Sequence, residues 1–180
     1  MNAITRIQPV AHDAEWADIH HAVHAWRGEA MHWFAFAETA VTEALLALSQ
    51  DAAHGAMVRK PHLFRQRMDS LADAIGADGP FADAGRKALP ILAAFRDHEE
   101  LRSLLSHGAL KSFRDRDGRW LVMLRNLSFR SGKAVRSARA LEQKEAEQLL
   151  ASLKQDAQTL ASALQSMRDK LRPKASSAQA

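Results

Sequence analysis

DAEWADIHHAVHAWRGEAMHWFAFAETAVTEALLALSQ, residues 13–50, decides how this chain is read. Within it Trp16, Ile19, Val23, Trp26, Ala30, Trp33, Ala37, Val41, Ala44 and Leu48 recur at spacings of three and four. That is the period of an amphipathic helix. The phase runs straight through Gly28, which predicts one long helix from about Asp13 to Gln50, bent at the glycine or alternatively split there in two. At about 1.5 Å per residue the unbroken form is a rod of roughly 55 Å. A rod of that length packs against several other helices or against a second subunit, so a helical bundle and a homodimer are expected.

Working outward, Pro61 stands at a first helical position and Leu63, Phe64, Met68, Leu71 and Ile75 continue an apolar stripe up to Gly76. Gly76 to Pro80 reads as a turn. Leu89, Leu92, Phe95, Leu101, Leu104 and Leu105 mark one further helical region that ends at His107-Gly108, with Pro90 near its start. The pattern then changes. Lys111 to Arg114, the turn Asp115-Arg116-Asp117-Gly118, and Arg119 to Phe129 predict a β-hairpin. From about Glu142 the helical period returns in Leu149, Leu153, Ala157, Leu160, Leu164, Met167 and Leu171, and Pro173 ends it. The expected architecture is all-α. A single domain over residues 1–172 forms a bundle of four or five helices with one inserted β-hairpin at about 111–129, and residues 173–180 are a disordered tail.

Composition narrows the chemistry. The chain has 180 residues, 47% of them apolar, enough for one domain to bury roughly 70% of its unfolded surface. It has no cysteine, which excludes disulfide frameworks, Cys-type zinc sites, CxxC redox chemistry and a thiol nucleophile, and no tyrosine, which excludes phenolic acids and nucleophiles. No uncharged apolar run approaches the roughly 18 residues of a membrane span, and Met1 to Asp13 lacks the apolar core of a secretory signal. A soluble cytoplasmic protein without membrane contact is expected.

The charge is lopsided. The net charge is only +4, yet Ala109 to Ala140 holds Lys111, Arg114, Arg116, Arg119, Arg125, Arg130, Lys133, Arg136 and Arg139 against Asp115 and Asp117 alone. A local basic surface on a mildly acidic body suits a polyanion such as RNA. Lys111, Arg114, Arg125, Arg130, Lys133 and Arg136 are the candidate RNA-binding residues. The alternative is a hairpin whose arginines only keep its edges soluble. The histidines invite a metal reading, because His20 and His24 lie four apart and Glu29-x-x-His32 is half of a di-iron motif. The second half is missing, so neither a metal nor another cofactor is expected.

One motif remains. Phe95-Arg96-Asp97-His98-Glu99-Glu100-Leu101-Arg102-Ser103-Leu104-Leu105-Ser106-His107-Gly108 carries Arg102 and His107 five apart at the end of a late helix, followed by glycine. It resembles the Arg-x4-His motif of HEPN domains, small all-α bundles found in toxins, phage-defence proteins and RNA-processing enzymes. The resemblance implies a metal-independent endoribonuclease, acting as a homodimer in which two protomers bring their motifs together. It also implies a toxin or phage-defence setting, with an antitoxin or defence-system partner. Arg102, His107 and Ser103 are then the catalytic residues, Ser103 standing where the family usually has Asn, Asp or His. Arg27 and His32 share the spacing but sit in mid-helix. The alternative is a non-catalytic HEPN-like module that binds RNA or a partner protein.

The chemistry of the pair can be stated independently. Cleaving RNA through its own 2′-OH needs a group that moves protons, as His107 can, and a cation for the charge that develops on phosphorus, as Arg102 can supply. Residues five apart on an ideal helix point about 140° apart, so Arg102 must reach round or come from a second protomer. The plain alternative is a helix-terminal His and an Arg paired to Glu99.

Overall fold

Gly28 does not break the first helix. In the computed structural model, which describes residues 12–130 and 132–171, α1 runs without interruption from His12 to Ser49. A Cβ at Gly28 would meet nothing within 4 Å, so the glycine serves neither a turn nor a close approach. The expected disordered tail, and Pro173 as a helix stop, lie outside the described residues.

The apolar stripe of α1 packs along α6 (Gln143–Leu171), and the two run parallel. Trp26 Nε1 donates to the Ala146 carbonyl at 2.8 Å, Lys154 lies over the Trp33 ring, and Glu43 pairs with Arg168, in ascending order on both helices. A rod as long as α1 is therefore matched inside one chain. Helix length by itself no longer calls for a second copy. Trp26 is buried and packs tilted against Trp120 at 6.0 Å.

Parallel first and last helices require the chain to return between them. After a short 3-10 turn at Gly55–Met57 come α2 (Phe64–Ile75), the one-turn α3 (Ala82–Gly85), α4 (Ala88–Arg96) and α5 (Glu99–His107). The expected single helical region over 89–105 is two helices. The amides of Asp97 and His98 bond back to the Ala94 and Phe95 carbonyls at 3.2 and 3.1 Å, a tightening that lets the chain change direction. His98 Nε2 then meets Asp156 Oδ2 at 2.8 Å and fixes the corner to α6. No glycine or proline stands between the two at Asp97-His98, which is why the sequence reading merges them.

The inserted element is also larger than a hairpin. β1 (Ala109–Arg114), β2 (Trp120–Arg130) and β3 (Lys133–Glu142) form a three-stranded antiparallel sheet in the order β1-β2-β3. The Asp115 carboxylate organises the first turn by accepting the amides of Asp117 and Arg119 at 2.9 and 2.8 Å and the Arg119 side chain at 2.9 Å. Desolvation opposes its ionisation, but the hydrogen bonds from Arg119 and Asp117 outweigh it and hold the carboxyl below its ordinary value. Gly118 (φ 83°) and Gly132 (φ 75°) take the left-handed conformations that the two turns need. The sheet turns Trp120, Val122, Leu124 and Leu141 onto the helices, completing a core that runs from Ile19 to Met167. The protein is thus mainly helical, with six α-helices and one small sheet among the described residues. None of those helices is long and apolar enough to cross a membrane.

Trp26 joins α1, α6 and the sheet, so its removal should be costly. Trp26→Ala is expected to destabilise by about 3–5 kcal/mol. Trp26→Phe, which keeps the ring but leaves the Ala146 carbonyl unsatisfied, is expected to cost about 1–3 kcal/mol. Urea denaturation followed by circular dichroism measures both.

Candidate functional site

Gly108 ends α5 and places the motif against the sheet. Its amide bonds to the Leu104 carbonyl at 2.8 Å. A Cβ here would come within 2.3 Å of that oxygen and 3.2 Å of the Arg125 carbonyl, so glycine lets the chain leave α5 at this point and start β1 beside β2. From there Ala109 pairs with Arg125, and side chains alternate between two faces.

Arg102, Ser103 and His107 all line one open groove of about 890 Å³ between α5, the start of α2 and the far part of the sheet. The roof is a two-stranded ribbon, Asn126–Arg130 with Lys133–Ser137, that extends past the end of β1 and turns Asn126, Ser128, Val135 and Ser137 toward the motif. The predicted catalytic residues therefore share a groove, but their environments differ sharply.

Arg102 is already committed. Its guanidinium lies 4.1 Å over the Phe64 ring and 3.5 Å from Glu38 Oε2, and Glu38 also takes Arg67. The buried Nε atoms of Arg102 and Arg67 have no hydrogen-bond partner. This one carboxylate with two guanidiniums ties α5 and α2 to α1. The alternative partner Glu99 is occupied by Arg96 at 2.9 Å. Glu38 lies 64 positions upstream of Arg102, and no local signal in the sequence links the two.

His107 is exposed, and among the described residues its ring makes no hydrogen bond or ion pair. It also lines a second pocket, of about 620 Å³, with Ala109, Arg125, Asn126, Leu127, Arg136, Ser137 and Ala138. No carboxylate lines this pocket. Arg125 contacts only the Met123 sulfur, at 3.2 Å, and neither Arg125 nor Arg136 has a carboxylate partner among the described residues. The structure thus gives His107 two sheet arginines as cationic neighbours. The sheet register that brings Arg125 and Arg136 alongside is a tertiary fact with no local signal in the sequence.

The other basic candidates separate. Arg119 is neutralised by Asp115 and Asp117, and Arg139 by Glu145 at 3.1 Å. Lys111 and Arg136 share the face of Arg125, while Arg114 and Lys133 belong by register to the opposite face. The Arg130 side chain lies outside the described residues.

Arg27, of the second equal-spacing pair, donates through both Nε (2.9 Å) and a terminal nitrogen to the Leu105 carbonyl in the last turn of α5. It satisfies a helix-end acceptor that would otherwise lack a partner. His20 Nδ1 lies 3.0 Å from Ser112 Oγ and its ring stacks on His24, so this pair joins α1 to β1. Among the described residues no three His, Asp or Glu side chains converge as a metal site would require.

No protein-family profile, curated protein or solved structure matches this chain significantly. The functional reading therefore rests on the site alone.

These environments predict opposite outcomes at the two motif positions. Arg102→Ala should lower stability by about 1–3 kcal/mol, because it removes a part-buried ion pair and leaves Glu38 with one partner fewer. His107→Ala should stay within about 0.5 kcal/mol of wild type, as exposed substitutions do. Thermal denaturation of the two variants side by side checks this.

Proposed function

We propose that the chain binds RNA, holding a phosphate in the pocket lined by His107, Arg125 and Arg136. The carrying observation is that, among the described residues, no carboxylate lines the concave site of the Arg125 and Arg136 guanidiniums or pairs with either. Planar guanidiniums suit phosphate oxygens, and the polar side chains of Asn126 and Ser137 add further hydrogen-bonding capacity. Lys111 extends the same charge along the face. Phosphate contacts release counterions, so affinity for a single-stranded RNA should fall steeply with salt. Arg125→Glu with Arg136→Glu should reduce the slope of log K against log salt by about 1.4, at about 0.7 per lost contact, and leave the helical circular dichroism unchanged. An unchanged slope would return both arginines to the role of solvated sheet residues.

A second reading, metal-independent RNA cleavage, is favoured by one observation: an exposed, unpartnered imidazole shares the pocket with the two arginines. His107 can move the proton of the attacking 2′-OH while Arg125 and Arg136 hold the charge that develops on phosphorus. In this version Arg102 positions α5 through Glu38 and does not touch the reacting atoms. The cation comes from the same chain, so the chemistry needs no second protomer. The homodimer implied by the motif's resemblance then becomes a separate question, answered by light scattering. Cleavage should persist in EDTA and leave 2′,3′-cyclic phosphate ends, and His107→Ala should slow it by about 10²–10⁴-fold. Intact RNA after incubation with wild-type protein would leave the binding function without the reaction.

A further inference from the structure

The sheet has one covered face and one bare one. Ser112, Trp120, Val122, Leu124 and Leu141 are buried on the helix side, whereas none of the described residues on the opposite face is buried. Along β2 that bare face carries a ridge of Leu121, Met123, Leu127 and Phe129, with Leu127 58% and Phe129 77% exposed. β3 sets Ala134, Ala138 and Ala140 beside the ridge, opposite Phe129, Arg125 and Met123, so small side chains leave a shelf next to the large ones.

An exposed apolar ridge needs an explanation, and the charge on this face selects the occupant. Lys111, Arg125 and Arg136 share it, and among the described strand residues on it the only carboxylate is Glu142, opposite Leu121 at the end away from the ribbon. A second copy docking through this face would bring arginines against arginines, which disfavours it. A polyanion complements it. Phe129 lies two residues beyond Leu127, which directly faces Arg136. Positions two apart on a strand are separated by about 6.5–7 Å, so an open aromatic ring lies one step from the cations. Charge with an exposed ring at this step matches a nucleic-acid strand whose bases are free to stack. Bases within a duplex have both faces covered by their neighbours.

Resting on the RNA-binding reading above, we propose that the bare face of the β2–β3 ribbon takes unpaired RNA, stacking a base on Phe129 beside the phosphate held by Arg125 and Arg136. Duplex RNA lacks the free base and binds only through its phosphates.

Fluorescence anisotropy with three labelled probes tests this on the full chain: an oligouridine of about 12 nucleotides, an abasic strand of the same length, and a blunt RNA duplex. Wild type should bind the oligouridine roughly 5- to 100-fold more tightly than the abasic strand, the range spanned by stacking of a single base. Phe129→Ala should close that gap without weakening abasic binding, and Phe129→Trp should keep it open. Because Phe129 is so exposed, loss of fold does not confound the comparison, and circular dichroism verifies it. Equal binding of the oligouridine and abasic strands by wild type, or a gap that survives Phe129→Ala, overturns the proposal. So does duplex bound as tightly as oligouridine. Polyglutamate that binds as tightly as the oligouridine and is lost in Phe129→Ala overturns it in favour of an acidic protein partner. Charge reversal at Arg125 and Arg136 separates the two levels. If reversal weakens every RNA probe and no base-dependent gap exists, stacking alone fails; if reversal changes nothing, the RNA reading fails too.

Discussion

Every other element takes its place from the parallel packing of α1 on α6. Two helices that run the same way at opposite ends of the sequence cannot be joined by a short turn, so the intervening chain must travel back along the pair. That return supplies α2, α4 and α5, and the sheet completes the crossover to the start of α6. Trp26 is the fastener. It is buried, bonds the first turn of α6 through Ala146 and packs on Trp120 of β2, so bundle and sheet share one core. Burial of this stripe, at about 25 cal/mol per Å² of apolar surface, is the dominant favourable term.

The charged residues near the motif divide into two kinds with different physics. Glu38, Arg67 and Arg102 form a part-buried network over Phe64, where ions persist because they are paired with one another and the pairing fixes three helices. Arg125, Arg136 and His107 line a surface pocket with no carboxylate among its described lining residues, where the two like-charged guanidiniums are tolerated because water screens them. The first kind builds the scaffold and the second carries the proposed RNA contacts. The Arg-x4-His spacing crosses the boundary, with its arginine inside the network and its histidine outside. Helix geometry explains this: positions about 140° apart on α5 face different surroundings.

The ribbon formed by the ends of β2 and β3 links these two regions. Its inner face roofs the groove above α5, and its outer face carries the exposed ridge and the arginines. An isolated two-stranded ribbon is only marginally stable in water. This one is anchored where β2 continues into the core at Leu124 and where Gly108 draws β1 against Arg125. The proposed RNA-binding face thus lies on an element that extends beyond β1 and is anchored at its base.

The sequence by itself determined the long first helix, the closing helix, the β1–β2 turn at Asp115–Gly118 and the absence of cysteine chemistry. Each follows from local spacing, turn chemistry or composition. It also placed His107 and Gly108 at a helix end. The tertiary structure alone decided the rest. The strand Lys133–Glu142 carries only two large apolar residues, Val135 and Leu141, and it is a strand because β2 offers it a ladder of backbone hydrogen bonds. The α4–α5 bend carries no glycine or proline at Asp97-His98, so no local breaker marks it in the sequence. Arg102 is paired with Glu38, and His107 shares a pocket with Arg125 and Arg136, because of how elements distant in sequence pack. Spacing along a chain records which residues share a helix face or a strand face. It does not record which faces meet, because long-range packing and sheet register are set by the whole core at once.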